Sequence, residues 1–268
     1  MEPTFQANTP WRKTAATIYR KPTDSKILGS VEFDVTALNA YIQKKRQEGL
    51  KVTPTHIFTL ATARAIAQQV PAMNTYVRRG SICLHPSIDA TVSVLLPGGQ
   101  MGAIRLEKAD QLSLRQAVAL MQEKVRQART SHDESEHLKN KLAQVPWPLR
   151  SWLYRLLYLL NVQWGIPLPG MSTHQFGSFV VSNIGSLGLD IGYPALLPAA
   201  NVSFVLILGG QEEKPCVVEG QIVPRTLLKV GIAMDHRLLD ASHGGDLFRY
   251  LKQVLRQPEV LEEGGIGG

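Results

Sequence analysis

The stretch LLKVGIAMDHRLLDASH, residues 227–243, changes its periodicity partway along. Leu227 to Ala233 is aliphatic and β-branched, the composition of a strand. From Ala241 to about Leu255 apolar residues return at helical spacing, and Pro258 stops the run. The polar Asp235-His236-Arg237 between them reads as a turn. A strand that hands three ionisable side chains to the start of a helix belongs to a fold that mixes both kinds of element.

Working outward, Phe179 to Ser182 and Val202 to Leu208 read as further strands. Ile27 to Val35 and Ile88 to Leu95 alternate apolar and polar residues, the second closed by the turn Pro97-Gly98-Gly99. Helices are expected from Ala37 to about Gln47, capped by Asp34 or Thr36 and stopped at Gly49. Others run from the Thr53-Pro54 cap to about Val70, and from Leu112 to about Arg129 after Asp110 or Ser113. Strands and helices do not alternate regularly, so the expected fold class is a two-layer α/β domain, a mixed sheet flanked by helices. No repeat or linker divides the 268 residues, and the reading is of one domain, 1–268.

Residues Pro146 to about Trp164, PWPLRSWLYRLLYLLNVQW, break the pattern. As a helix, this segment gathers Arg150, Tyr154, Arg155 and Tyr158 on one side and leaves Leu149, Trp152, Leu153, Leu156, Leu157, Leu159 and Leu160 on the remainder. It is too short to span a bilayer. Its Trp, Tyr and Arg bordering Leu suit an interfacial helix or a lid over an apolar pocket, and equally a helix buried against a core or subunit.

Composition limits the function classes. With 44% hydrophobic and 19% charged residues the chain is of folded, soluble type. Its net charge of +7 comes from scattered lysines and arginines with no interleaved stacking aromatics, so no nucleic-acid partner is expected. Cys83 and Cys216 form no Cys-x-x-Cys pair, which signals neither disulfide framework nor zinc ribbon. No secretory signal or spanning segment is read, and the expected location is the cytoplasm, with association to a membrane through 146–164 as an added option.

Three chemistries compete for the turn. On one continuous helix His236, Asp240 and His243 would stack along a face as metal ligands. Ser182, His236 and Asp240 would make a hydrolase triad, although Ser182 lacks a Gly-x-Ser-x-Gly elbow. The third comes from resemblance. His236-Arg-Leu-Leu-Asp240-Ala241 resembles the His-x-x-x-Asp-Gly signature of the chloramphenicol acetyltransferase-like superfamily. Its Asp-His-Arg opening is most similar to the catalytic domain of the dihydrolipoyl acyltransferases of 2-oxo-acid dehydrogenase complexes. Other stretches resemble that domain in the same order. They are Val31-Glu-Phe-Asp-Val-Thr-Ala-Leu38, Thr53 to Asn74 ending in Val-Pro-Ala-Met-Asn, Asp89-Ala-Thr-Val-Ser-Val94, and Ser178 to Gly188. Together they cover about Arg12 to Pro258.

The resemblance implies a trimer with active sites between subunits, and acyl transfer between coenzyme A and a thiol or hydroxyl acceptor. It assigns His236 as general base toward the thiol, Ser182 as hydroxyl donor to the oxyanion from the neighbouring subunit, and Asp240 to local structure or electrostatics. It implies no metal, and coenzyme A enters as a substrate. An N-terminal arginine, Arg12, is expected to pair with Asp240. Three departures accompany it. Ala241 replaces the signature Gly, a substitution that matters if the turn needs positive φ. No lipoyl domain or Ala/Pro-rich linker is read, so no covalently bound lipoyl group is expected and the acyl donor is expected from outside the chain. An atypical apolar insertion fills about 130–175, and the tail lacks an apolar end, so a trimer is expected rather than a cage. A second reading, an inactive relative serving as scaffold or membrane-peripheral binding module, draws on these departures. The cluster His132, Asp133, Glu134, Glu136 and His137 reads as a solvated loop rather than a metal site.

Overall fold

A computed structural model describes residues 10, 25–96, 99, 101–130, 144–167 and 173–265. Within them the chain runs β1 (Lys26–Asp34), α1 (Thr36–Gln47), α2 (Pro54–Gln68), β2 (Thr75–Arg78), β3 (Ser81–Leu84), β4 (Ala90–Leu95) and β5 (Met101–Leu106). It continues through α3 (Leu114–Thr130), α4 (Leu149–Tyr158) with a π-helical turn Leu159–Gln163, then β6 (Phe179–Asn183), β7 (Phe204–Val218), β8 (Gln221–Asp235) and α5 (Ala241–Arg256).

Six strands form one mixed sheet in the order β1-β8-β7-β6-β4-β5. β6 lies parallel to β4 and β7, while β1/β8, β7/β8 and β4/β5 are antiparallel. One face is dry: Phe179, Val181, Phe204, Leu206, Val230 and Ile232 pack against α1, α2, α3 and α5 in a single core. α2 is buried on every side from His56 to Ile66, as expected of a helix apolar all round. Its buried Arg64 donates to the carbonyls of Leu112, Val260, Leu261 and Glu263, which pins the segment after α5 over the core.

The other face is covered by irregular chain, not by helices. Ala200, Val202, Val205 and Ile207 form a small second cluster there with Val180, Ile184 and Leu197. That crossing chain presses its backbone onto the sheet. A Cβ at Gly209 would collide with the carbonyl oxygen of Asp190, and one at Gly231 with that of Gly192.

The mixed α/β architecture agrees with the sequence, with three local differences. β7 and β8 are each about twice as long as expected and are joined by the two-residue turn Glu219-Gly220, both at positive φ (51° and 80°). β2 and β3 form an unexpected hairpin on the same kind of turn, Arg79-Gly80, and β5 is also additional. The two layers are as expected, with the helices sheltering the main core on one side of the sheet. The turn Pro97-Gly98 and the cluster at 132–137 lie outside the described residues.

Candidate active site

Asp235 ends β8 as a buried carboxylate, and its Oδ1 accepts the backbone N–H of Arg237 at 3.0 Å. The Arg237 guanidinium returns to the same carboxylate, with Nε at 2.9 Å from Oδ1. The Asp235 carbonyl receives the N–H groups of Leu238 and Leu239. These bonds tie down the turn and leave His236 at its apex, 57% exposed. The His236 N–H donates to the carbonyl of Ser25, which fastens the turn to the start of β1.

The ring of His236 is oriented from one side. Nδ1 lies 3.1 Å from the carbonyl oxygen of Leu239 and 3.4 Å from Oδ1 of Asp240. Both oxygens accept only, so the neutral ring carries its proton on Nδ1 and leaves the lone pair on Nε2. An imidazole so arranged is ready to take a proton from outside. Asp240 itself is the N-cap of α5, and His243 Nδ1 accepts the Asp240 N–H at 2.9 Å.

This geometry corrects the metal reading. His236 precedes the helix, and His243 spends its Nδ1 lone pair on the cap, so the three side chains do not converge. No group of three or more His, Cys, Asp and Glu side chains positioned for a metal occurs among the described residues. Ala241 is the first residue of α5 and is absent from the positive-φ residues, so the signature glycine is not required here by backbone conformation. Arg12, expected beside Asp240, lies outside the described residues.

Ser182 sits on β6 with its side chain toward the irregularly covered face, between Val180 and Ile184. Register places it far from His236 in the same chain. Ser182 is opposite Ile207 and Ile207 opposite Gly231, whereas His236 is five positions past Gly231. At roughly 3.3 Å per residue that is about 17 Å along the strands, with two strand spacings across. One copy therefore brings His236 and Asp240 together and does not bring Ser182 to them, which removes the hydrolase triad. Next to Ser182, Asn183 donates from Nδ2 to Thr55 Oγ1 at 3.2 Å and accepts the Gly185 N–H at 3.1 Å. It borders a cleft of about 160 Å³ between Pro54, Gly185, Gly210 and Gln211. The Ser-Asn-x-Gly motif carried the signal for Asn183, which sequence reasoning did not separate from its serine.

α4 flanks the histidine turn. Tyr154 buries its hydroxyl, the rings of Tyr154 and Tyr158 stack at 6.5 Å, and Tyr158 accepts from Gln163 Nε2 at 2.8 Å. The Arg237 guanidinium is held above its usual pKa chiefly by its hydrogen bonds to Asp235, with Tyr158 contributing from α4. No residue of α4 is buried, so it is not the core helix that its leucines allowed.

On the far side of β4, Arg105 pairs with the buried Asp89, Nε to Oδ2 at 3.1 Å, and also donates to the carbonyl of His174. Burial pushes the Asp89 carboxyl up, but Arg105, the Lys108 N–H and the Ser87 hydroxyl outweigh it and hold it below its usual value. His85 is lowered to about 4 by burial, then by His174, and His56 to about 4 by burial, then by Arg46.

The family model for the 2-oxoacid dehydrogenases acyltransferase (catalytic domain) matches residues 6–145 and 171–262, leaving out the apolar segment. The dihydrolipoyllysine-residue acetyltransferase component of the acetoin cleaving system of Bacillus subtilis (strain 168) is 23% identical over 238 residues, 87% of this chain and 50% of that protein. A mitochondrial dihydrolipoyllysine-residue succinyltransferase of Arabidopsis thaliana is 36% identical over 85 residues, 32% of this chain and 18% of that one. The chain thus spans at most about half the length of these two relatives. Among solved structures, a probable dihydrolipoamide acetyltransferase from Listeria monocytogenes 4b F2365 superposes with a TM-score of 0.64 at 17% identity, covering 91% of this chain and 87% of that one. The Azotobacter vinelandii dihydrolipoamide acetyltransferase, studied for the role of a serine, a histidine and an asparagine in its catalytic mechanism, gives 0.64 at 18%, covering 88% and 83%.

Proposed function

The chain belongs to the 2-oxoacid dehydrogenase acyltransferase family as its catalytic domain, and from that premise we propose that it transfers an acyl group between coenzyme A and a dihydrolipoyl thiol, with His236 as base. The observation that carries the reading is the imidazole whose Nδ1 is bound to the Leu239 carbonyl and whose Nε2 is left to react. Free thiols near pKa 8.5 are mostly protonated at neutral pH and attack poorly until a base takes the proton. Nε2 of His236 removes it, and the thiolate sulfur forms a bond to the thioester carbonyl carbon. The electron pair displaced onto oxygen is stabilised by the Ser182 hydroxyl. On collapse the original C–S bond breaks, and the departing thiolate takes its proton from Nε2.

Ser182 reaches that oxyanion only from another copy of the chain, given its separation of about 17 Å along the strands from His236. We propose a ring of three copies with one site at each boundary. Exposed Leu95, Met101, Leu187, Leu189 and Tyr193 supply apolar surface for such a contact. That a serine and a histidine were studied for catalysis in the Azotobacter vinelandii enzyme supports this pair of roles.

The test is acyl exchange between acetyl- or succinyl-coenzyme A and dihydrolipoamide, followed by chromatographic separation of free coenzyme A from acyl-coenzyme A. His236→Ala is expected to lose about 10²–10⁴ in kcat with its melting temperature retained. Unaltered turnover in that variant would remove His236 from the mechanism.

A further inference from the structure

We infer that Arg237 is a positioning residue for the proposed base: paired with Asp235, it holds the turn in which the Leu239 carbonyl keeps a proton on Nδ1 of His236 and leaves Nε2 free. The inference rests on the acyl-transfer reading, in which that nitrogen takes the proton of the thiol. The pair straddles the histidine. Asp235 precedes His236 with a side chain only 9% exposed, and Arg237 follows it. Oδ1 of Asp235 accepts both the backbone N–H of Arg237 at 3.0 Å and its Nε at 2.9 Å. Nε also reaches Oδ2 at 3.1 Å, and Nη2 closes the fork on the same oxygen. One carboxylate therefore fixes both the main chain and the side chain of the residue after the histidine.

The effect on the ring runs through the backbone. The N–H of Asp235 donates to the carbonyl of Ser203, the residue before β7, and the carbonyl of Asp235 accepts the N–H groups of Leu238 and Leu239. Leu239 is thereby held from Asp235, and its own carbonyl oxygen stands 3.1 Å from Nδ1 of His236. A neutral imidazole in water favours the other tautomer, with the proton on Nε2, where it occupies the lone pair that a general base needs. The bonds of the turn reverse that preference, and the Arg237 fork is what holds the carboxylate at their centre. Removing the guanidinium also leaves a buried carboxylate without its cation, so stability is lost together with orientation and the two losses have to be measured separately.

The experiment follows kcat and KM for acyl exchange beside nitrogen-15 NMR of the histidine-labelled full chain at a pH where the rings are neutral. The His236 signals are assigned by their absence from His236→Ala. The wild type is expected to carry the proton on Nδ1. Arg237→Gln is expected to shift the population toward Nε2–H and to lower kcat by about 10–100-fold with KM within about twofold. Arg237→Lys keeps the charge but not the fork, and is expected to fall between the two. It carries the same readouts if the Gln variant does not fold. Adding Asp235→Asn to Arg237→Gln is expected to lower kcat no further, since the two side chains act as one unit. Ile66→Val, a truncation in the core of α2, is expected to lower the melting temperature and leave kcat unchanged. An unchanged tautomer in Arg237→Gln overturns the inference whatever happens to kcat, and so does a loss of kcat that Ile66→Val shares. An effect confined to KM overturns it in favour of a substrate contact. Absence of acyl exchange in the wild type would instead remove the acyl-transfer reading, while the tautomer populations still report whether Arg237 orients the ring.

Discussion

Asp240 performs two tasks at one position, and substitutions separate them. As N-cap it starts α5, and as a carboxylate it stands 3.4 Å from the Nδ1 of His236. Asparagine is as good a cap as aspartate, whereas alanine is not. Asp240→Ala is expected to cost about 1 kcal/mol in urea unfolding, and Asp240→Asn close to nothing. Any loss of kcat that Asn shares with Ala is then due to the missing charge and not to a frayed helix. Ser182→Ala is expected to lower kcat by about 10²–10³ with KM nearly unchanged, because an oxyanion donor acts in the transition state. An equal loss through KM alone would make Ser182 a ground-state contact.

At the scale of elements, β7 and β8 depend on the chain that crosses them. Gly209→Ala or Gly231→Ala must lift residues 190–192 off the sheet, and each is expected to destabilise by about 1–3 kcal/mol. Gly245, inside α5 with open space around its Cα, is the opposite case. Gly245→Ala is expected to stabilise by about 0.5–1 kcal/mol, and chemical denaturation of the three variants together checks both signs. The same two strands explain what the sequence did and did not disclose. Val202 to Leu208 and Leu227 to Ala233 are legible because they face the core. Gln211 to Lys214 and Gln221 to Arg225 stand beyond the helices, so burial does not impose an apolar alternation on them. Their turn is Glu-Gly and that of β2/β3 Arg-Gly, neither the Asn-Gly nor the Asp-Gly that marks a hairpin most clearly. His236 and Asp240 were legible from spacing and resemblance. The distance from His236 to Ser182 was not, because it is set by pairing register across three strands.

For the molecule as a whole, the proposed division of the site between copies has a direct test. His236→Ala and Ser182→Ala chains, each inactive, are expected to recover about a quarter of wild-type turnover when refolded together in equal amounts, since intact pairs form by chance at boundaries. No recovery, with mixed assemblies demonstrated by mass spectrometry, would place both residues in separate roles. Acid stability is a second global property. His56 and His85 titrate near 4 when folded but near 6.5 when unfolded, so the unfolded chain binds more protons between those values. Their contribution is complete above pH 6.5 and is lost as pH falls toward 4, by at most about 3 kcal/mol each. Melting temperature is therefore expected to decline below pH 6.5, less so in His85→Phe.

The order of strands also governs when this protein becomes a protein. Among the described strands β1, the first of the sheet, is hydrogen-bonded only to β8, the last, with Lys26 opposite Asp235. On the ribosome β1 thus waits for β8 until Gln221–Asp235 has emerged, and Phe33 waits for Phe248 of the helix after it. Closure at such sequence separation is slow and leaves apolar strand edges open to other chains meanwhile. Yield in the cell is accordingly expected to rise with chaperone supply and with slower translation, as measured by the soluble fraction on co-expression of chaperones.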